Sequence, residues 1–339
     1  MRVTLGDVCE KGASNIKQSD IANMTGEYPI YGAAGYIGNV DFYHQEKPYV
    51  AIVKDGAGIG RTTLHPAKSS VIGTMQYLLP KDNVLPEYLC YVVRHMHLEK
   101  YFTGATIPHI YFRDYKNEKF NLDSLDKQAE IIEILGKAES IILKRRKELA
   151  ELDNLIKARF VEMFGIYPAN QMGWETGKIR DTVADVRYGS SRPAVDGGKY
   201  PYLRMNNITY GGELDLSDVK RIDVPENELD KCTVRRGDVL FNRTNSKELV
   251  GKTCVYDRDE MMVLAGFVIR VRVNDRVLPE FLSAFLNTDF SKKTLSEMCK
   301  AAIGQANINA QEMQNIGLYL PPLELQRQFV QFKKQIDKS

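Results

Sequence analysis

Leu85-Pro86-Glu87-Tyr88-Leu89 returns as Leu278-Pro279-Glu280-Phe281-Leu282. Each copy puts Pro where a helix starts, since its missing N–H costs nothing in the first turn. Downstream of each copy lies an Ala/Gly/Ile-rich stretch, followed by a Gln that opens an apolar helical pattern: Lys127-Gln128-Ala129-Glu130-Ile131 and Leu325-Gln326-Arg327-Gln328-Phe329. A duplication of this long period predicts a tandem pair of similar domains. Smaller echoes agree with it. Leu5-Gly6-Asp7 returns as Ile179-Arg180-Asp181, and Tyr28-Pro29-Ile30-Tyr31 as Tyr200-Pro201-Tyr202. The β-type run Tyr49-Val50-Ala51-Ile52-Val53 has its counterpart in Asp238-Val239-Leu240-Phe241 after Arg236-Gly237.

Between the copies stands the clearest element of the chain. From Asp126 to Phe164 there is no Pro and one Gly, Gly136. Apolar residues fall at Ile131, Leu135, Ala138, Ile142, Leu149, Leu152, Ile156, Phe160 and Met163, mostly in steps of four and three, with Arg145 breaking the seam. About 39 residues at a 1.5 Å rise predict a rod of roughly 58 Å, and its apolar stripe needs a cover. Gly165-Ile166-Tyr167-Pro168 ends it. The predicted fold is α+β: two similar mixed α/β domains separated by a long coiled-coil-like helix, with a shorter C-terminal helix pairing antiparallel to it. The expected boundaries are 1–125 for the first domain, 126–165 for the helix, 166–176 for a linker, 177–322 for the second domain and 323–339 for the last helix. On that reading Ile142, Leu149, Leu152, Ile156 and Phe160 form a partner-binding seam.

Composition narrows the function classes. The 339 residues are 43% hydrophobic and 27% charged, and the net charge is only +2, so any basic face must be local. The five Cys are scattered with no CxxC pair, which suits reduced thiols rather than a disulfide framework or a zinc site. The N-terminus has no apolar signal region and no run is apolar and long enough to span a bilayer, so a cytoplasmic chain without membrane contact is expected. Catalytic signatures are missing: none of the His residues lies in HExxH, and there is no GxSxG. Asp55-Gly56-Ala57-Gly58-Ile59-Gly60-Arg61 imitates a phosphate loop but fails the dinucleotide spacing, and the second copy has no such run. A Gly-rich turn that lets backbone come close to a ligand is the better reading.

Polar loops remain. Asn242, Arg243, Thr244, Asn245 and Lys247 stand where the first copy has its glycines. Similar clusters are Arg187, Tyr188, Ser190 and Arg192; Arg204, Asn206 and Asn207; and Gln305 with Asn307. The first copy offers Lys54, Arg61, Thr62, His109, Tyr111 and Arg113. Such side chains bond base edges and phosphates; any one cluster alone reads better as a capped, solvated turn, and it is their number in one domain that turns the reading toward binding. The mid-rod run Lys144-Arg145-Arg146-Lys147 is either a solvated helix face or a phosphate contact.

Across its whole length the chain resembles the specificity subunit of type I restriction-modification systems. The residues that carry the resemblance are Val3-Thr4-Leu5-Gly6-Asp7-Val8, the two Leu-Pro-Glu segments, Ile303-Gly304-Gln305-Ala306-Asn307-Ile308, and Leu320-Pro321-Pro322-Leu323-Glu324-Leu325-Gln326 leading into a helix. The resemblance implies two target-recognition domains, each reading one half of a bipartite double-stranded DNA target. It implies spacer helices that dock modification subunits, with a restriction subunit joining through the complex. S-adenosylmethionine and ATP would belong to those partners, leaving this chain without cofactor, metal or catalytic residue of its own. Family members pair two long helices, whereas here the second reaches Ser339 after a few turns, so self-association through the seam at Leu149–Met163 is a further expectation. The rival readings are a stand-alone nuclease or hydrolase and a coiled-coil protein-interaction scaffold.

Overall fold

Continuous apolar runs must be buried on both faces, and those of the strands Tyr49–Val53 and Val239–Asn242 are. In a computed structural model that describes residues 1–104, 108–299 and 306–336, each is an inner strand of a four-stranded antiparallel sheet. The chain divides into two units, Met1–Arg145 and Arg146–Ser339. In the first unit the strand order is Cys9–Ala13, Met75–Pro80, Tyr49–Val53, Thr62–His65. In the second it is Val183–Tyr188, Val268–Val273, Val239–Asn242, Thr253–Val255, the same path through the chain.

The likeness extends to the rarer features. Each unit has a second sheet holding a parallel pair: Tyr28–Gly32 with Ser70–Val71, and Tyr200–Leu203 with Met262–Leu264. A parallel pair needs a crossover, and in both units the crossover includes the hairpin that the larger sheet's inner strand makes with its edge neighbour. A short antiparallel pair then ties the start of each unit to its end, Arg2–Thr4 with Lys119–Asn121 and Glu175–Lys178 with Gly317–Leu320.

The repeated Gln explains itself in packing. Gln128 and Gln326 are both completely buried. Gln128 accepts from the Leu85 N–H at 2.8 Å and donates to the carbonyls of Asn83 and Asp123 at 3.0 and 2.9 Å. Gln326 accepts from the Leu278 N–H at 2.8 Å and donates to Arg276 and Pro321 at 3.2 and 2.8 Å. Leu85 and Leu278 are the residues that precede the Pro of the helices Pro86–His95 and Pro279–Leu286. One amide therefore clamps the entry of one helix to the start of another, and the two repeated words are the two sides of one contact.

The long helix runs from Leu125 to Phe164, 40 residues, and the division between the units falls within it. Ile131 and Ile132 pack against the core of the first unit, while Phe160 and Phe164 are buried in the core of the second. There Phe160, Phe164, Phe281 and Phe329 form one aromatic cluster, with ring centroids 4.9 to 5.8 Å apart. Leu323–Ile336 pairs antiparallel with the end of the long helix: Phe329 meets Phe160 and Phe164, and Phe332 lies under Arg159. The expected seam is thus split. Phe160 is core rather than a surface for a partner, because the Leu-Pro-Glu helix and the C-terminal helix already cover it, and Ile156 packs beside it. Leu152 is half-buried, while Ile142 and Leu149 are exposed, in company with Ile141 and Leu143.

Residues 166–176 are not a loose tether. The Asn170 N–H donates to the Tyr319 hydroxyl at 2.6 Å, Trp174 Nε1 donates to the Phe164 carbonyl at 3.0 Å, and Glu175 opens a strand. All five cysteines are buried and unpaired. Burial pushes the Cys9 and Cys254 thiols up to about 12.

Candidate nucleic-acid interface

In the first unit the inner strand Tyr49–Val53 leads into Lys54 and Asp55 and then the glycine turn. Gly56, Gly58 and Gly60 there adopt φ of +84°, +90° and +80°, which no L side chain takes cheaply. The segment ending in His109–Tyr111 lies along this exit. The Ile110 N–H donates to the Lys54 carbonyl at 2.9 Å, and Asp55 and His109 face each other in an antiparallel bridge. Their side chains also meet. Asp55 Oδ1 lies 2.7 Å from His109 Nδ1, and Asp55 Oδ2 accepts from Lys54 Nζ. Partial burial raises the Asp55 pKa, but the bonds from Lys54 and His109 outweigh it and hold the carboxyl below its usual range. The His109 ring stacks on Tyr111 with centroids 6.4 Å apart, and the Arg113 guanidinium lies 4.8 Å from the Tyr111 ring centre. Lys54, His109, Tyr111 and Arg113 therefore share one patch of cations and rings, the chemistry that grips phosphates and stacks on bases.

Arg61 belongs to the same turn, with its Nη1 donating to the Ala33 carbonyl at 2.9 Å. Thr62 does not serve as a surface contact. It is only 5% exposed, its hydroxyl donates to the Gly60 carbonyl at 3.0 Å, and its own carbonyl accepts from Arg94 Nε. Its place in a strand that packs on a helix makes it framework.

In the second unit the inner strand Val239–Asn242 leads into Arg243, and Thr244–Asn245 then pairs with Ala306–Asn307. The Ile308 N–H donates to the Arg243 carbonyl at 2.9 Å. The Arg243 guanidinium lies 4.9 Å from the ring centre of Tyr188, which is 43% exposed and whose hydroxyl accepts from the Ala310 N–H. Thr244 Oγ1 donates to Asn307 Oδ1 at 3.0 Å. Asn242 is fully buried; its Oδ1 accepts from the Thr244 N–H, while its Nδ2 and Arg243 Nε bond no described group. Tyr188, Arg243, Thr244 and Asn307 are thus brought together. Asn245 adjoins them, and Lys247 is exposed beyond.

The other predicted residues stand apart from this patch or hold the framework. Arg187 pairs with Asp185 at 3.0 Å, Arg192 with Glu228 through two bonds of 3.2 and 2.7 Å, and Arg204 with Asp218 at 2.8 Å. Exposed pairs such as those of Arg187 and Arg192 are worth ~0–1 kcal/mol, so these two guanidinium groups can trade a carboxylate for a phosphate. Ser190 is buried and its hydroxyl accepts from the Arg192 N–H. Asn207 is buried as well. It accepts from the Arg204 N–H and donates to the Asp215 and Asp218 carbonyls, so it shapes the loop from inside and has nothing left to offer a ligand. Asn206 beside it is exposed. Gln305 lies outside the described residues. Asp55 is the side chain of this patch that sequence reasoning did not single out. Its partner His109 is 54 positions away, so no local pattern joins them.

The sequence model of one family, described as the type I restriction modification DNA specificity domain, matches residues 1–154 and again residues 172–339. The chain belongs to this family. Among curated relatives, the type I restriction enzyme MjaVIII specificity subunit of Methanocaldococcus jannaschii is 25% identical over 314 residues, covering 85% of this chain and 72% of that protein. The type I restriction enzyme EcoKI specificity subunit of Escherichia coli K12 is 25% identical over 199 residues, but the match spans only 42% of its length and 58% of this chain. Of solved structures, the type I restriction-modification S subunit from M. genitalium aligns over 100% of this chain and 89% of its own with a TM-score of 0.56 at 14% identity, a likeness of fold. The two family matches fall on the two units whose strand order repeats. No helix among the described residues is long and apolar enough to cross a membrane.

Proposed function

We propose that this chain is a non-catalytic, DNA sequence-reading subunit of a type I restriction-modification assembly, each unit reading one half of a bipartite target. One observation carries the reading. The two units repeat the same larger sheet and the same Gln clamp, yet at the same exit from the inner strand one carries Lys54, Asp55 and His109 and the other Arg243, Thr244 and Asn307. A constant frame with different polar side chains at one place suits two readers of different sequences. Arg243 over Tyr188 and Arg113 over Tyr111 add a cation on a ring to each patch, which favours nucleic acid over a small apolar ligand. The exposed apolar residues Ile142 and Leu149 of the long helix are where modification subunits would dock. Methyl transfer with S-adenosylmethionine and cleavage with ATP then belong to those partners and to a restriction subunit, and the work is done in the cytoplasm where the DNA is.

Selection from a pool of random duplexes by the full chain with modification subunits tests this. The expected product is one motif of two fixed halves around an unfixed gap, with affinity falling steeply as salt rises. Arg243→Ala should relax the bases of one half alone. Equal recovery of all duplexes would overturn the proposal, and metal-dependent cleavage by the isolated chain would favour a nuclease instead.

A further inference from the structure

The two units can be aligned by hydrogen bonds rather than by residue identity. In the first, the Lys54 carbonyl accepts from Ile110, and the next residue, Asp55, faces His109. In the second, the Arg243 carbonyl accepts from Ile308, and the next residue, Thr244, faces Asn307. The register is the same: a cation at the end of the inner strand, then a cross-strand pair. In both pairs the side chains are bonded to each other, Asp55 to His109 at 2.7 Å and Thr244 to Asn307 at 3.0 Å. Both pairs sit beside a cation–ring contact, and none of the four side chains is buried.

We infer that this cross-strand position is the base-reading position of each unit, with His109 and Asn307 as the readers and Asp55 and Thr244 as their positioning residues. The inference rests on the DNA-reading proposal above. Its chemistry differs between the units. An ionised carboxylate only accepts, so Asp55 obliges His109 Nδ1 to carry a proton, and in the neutral form of the ring Nε2 is left as an acceptor facing the ligand. Such an acceptor matches the exocyclic amino group of adenine or cytosine in the major groove. In the second unit the Thr244 hydroxyl takes one lone pair of Asn307 Oδ1, leaving the other lone pair and both Nδ2 hydrogens. That remaining edge matches adenine, which takes an Asn side chain at N6 and N7 together.

The experiment is the duplex selection repeated with the full chain and its variants His109→Ala, Asp55→Asn, Asn307→Ala and Thr244→Val. His109→Ala and Asn307→Ala should each cut discrimination about tenfold or more at one or two adjoining positions, in opposite halves of the motif. Asp55→Asn keeps the shape but no longer obliges the Nδ1–H, so it should disturb the same position as His109→Ala and no other; Thr244→Val should do the same for Asn307→Ala. A loss of binding spread evenly over all positions would mean a merely structural role and would overturn the inference. So would a wild-type motif that survives all four substitutions unchanged, while the DNA-reading proposal stands. If the wild-type chain yields no motif at all, the proposal fails and the inference with it.

Discussion

Arg270 is a guanidinium only 2% exposed, in the middle of a strand of the second unit. Its Nη2 bonds Asp185 at 2.8 Å, and its Nη1 donates to the carbonyls of Asp230 and Thr233. Burial raises the Asp185 pKa, but the bond from Arg270 and the charges of Arg187 and Arg272 win and hold it below the usual carboxylate range. A folded pKa below the unfolded one means stability that is complete above the ordinary Asp range and lost as pH falls through the folded value. Asp185→Asn should therefore cost about 2–4 kcal/mol near neutral pH, since it leaves a buried charge short of its partner. The gap from wild type should close below about pH 4, read as urea midpoints at the two pH values. A cost that does not change with pH would sink the ion-pair account. Nothing in the sequence singles out this Arg: Val268–Val273 alternates apolar and basic residues as a half-exposed strand does, and the Asp lies on another strand. The Gln residues were the opposite case. Their repetition was plain, because three buried bonds at one amide tolerate no other side chain, while what they bonded to was hidden.

At the scale of elements the inner strands, the Leu-Pro-Glu helices and the long helix were all legible, because continuous apolar runs and helical periodicity are local signals. The use of the long helix was not. A heptad seam tells which face is apolar but not what covers it, and here the cover changes along the length, from Ile131 against one core to Phe160 within another. The consequence is a sharp contrast between two residues of one seam. Phe160→Ala should destabilise the second unit by about 3–5 kcal/mol, as an emptied aromatic site does. Leu149→Lys, at an exposed site, should change stability by less than about 0.5 kcal/mol but weaken capture of modification subunits. Equilibrium unfolding and co-purification measure the two, and equal stability losses would show that Leu149 is packed after all. The segment 166–176, expected as a linker, is anchored by a bond that no local pattern reveals, from the Asn170 N–H to the distant Tyr319 hydroxyl.

At the scale of the whole molecule each unit owns a core and a Gln clamp. Calorimetry should accordingly resolve two transitions. Gln128→Ala should lower one by several degrees and Gln326→Ala the other, because each leaves three backbone groups without their partner at about 1–3 kcal/mol apiece. A single transition moved equally by both would mean that the units fold as one. This scale was the most legible of all, since a repeat of long period is visible with no knowledge of contacts. The cross-strand pairs Asp55–His109 and Thr244–Asn307 were the least legible. They depend on cross-strand register over 54 residues in one unit and 63 in the other, and register belongs to the fold, not to any short stretch.

The five buried thiols carry one more consequence. Cys9 and Cys90 belong to the first unit, and Cys232, Cys254 and Cys299 to the second. A thiol attacks a reagent only as an exposed thiolate, and burial suppresses that form at all five. The native protein thus contains its own stopwatch: each sulfur stays silent until its unit opens, and mapping which cysteines gain the reagent's mass over minutes or hours would time the opening of the two halves separately, without a substitution.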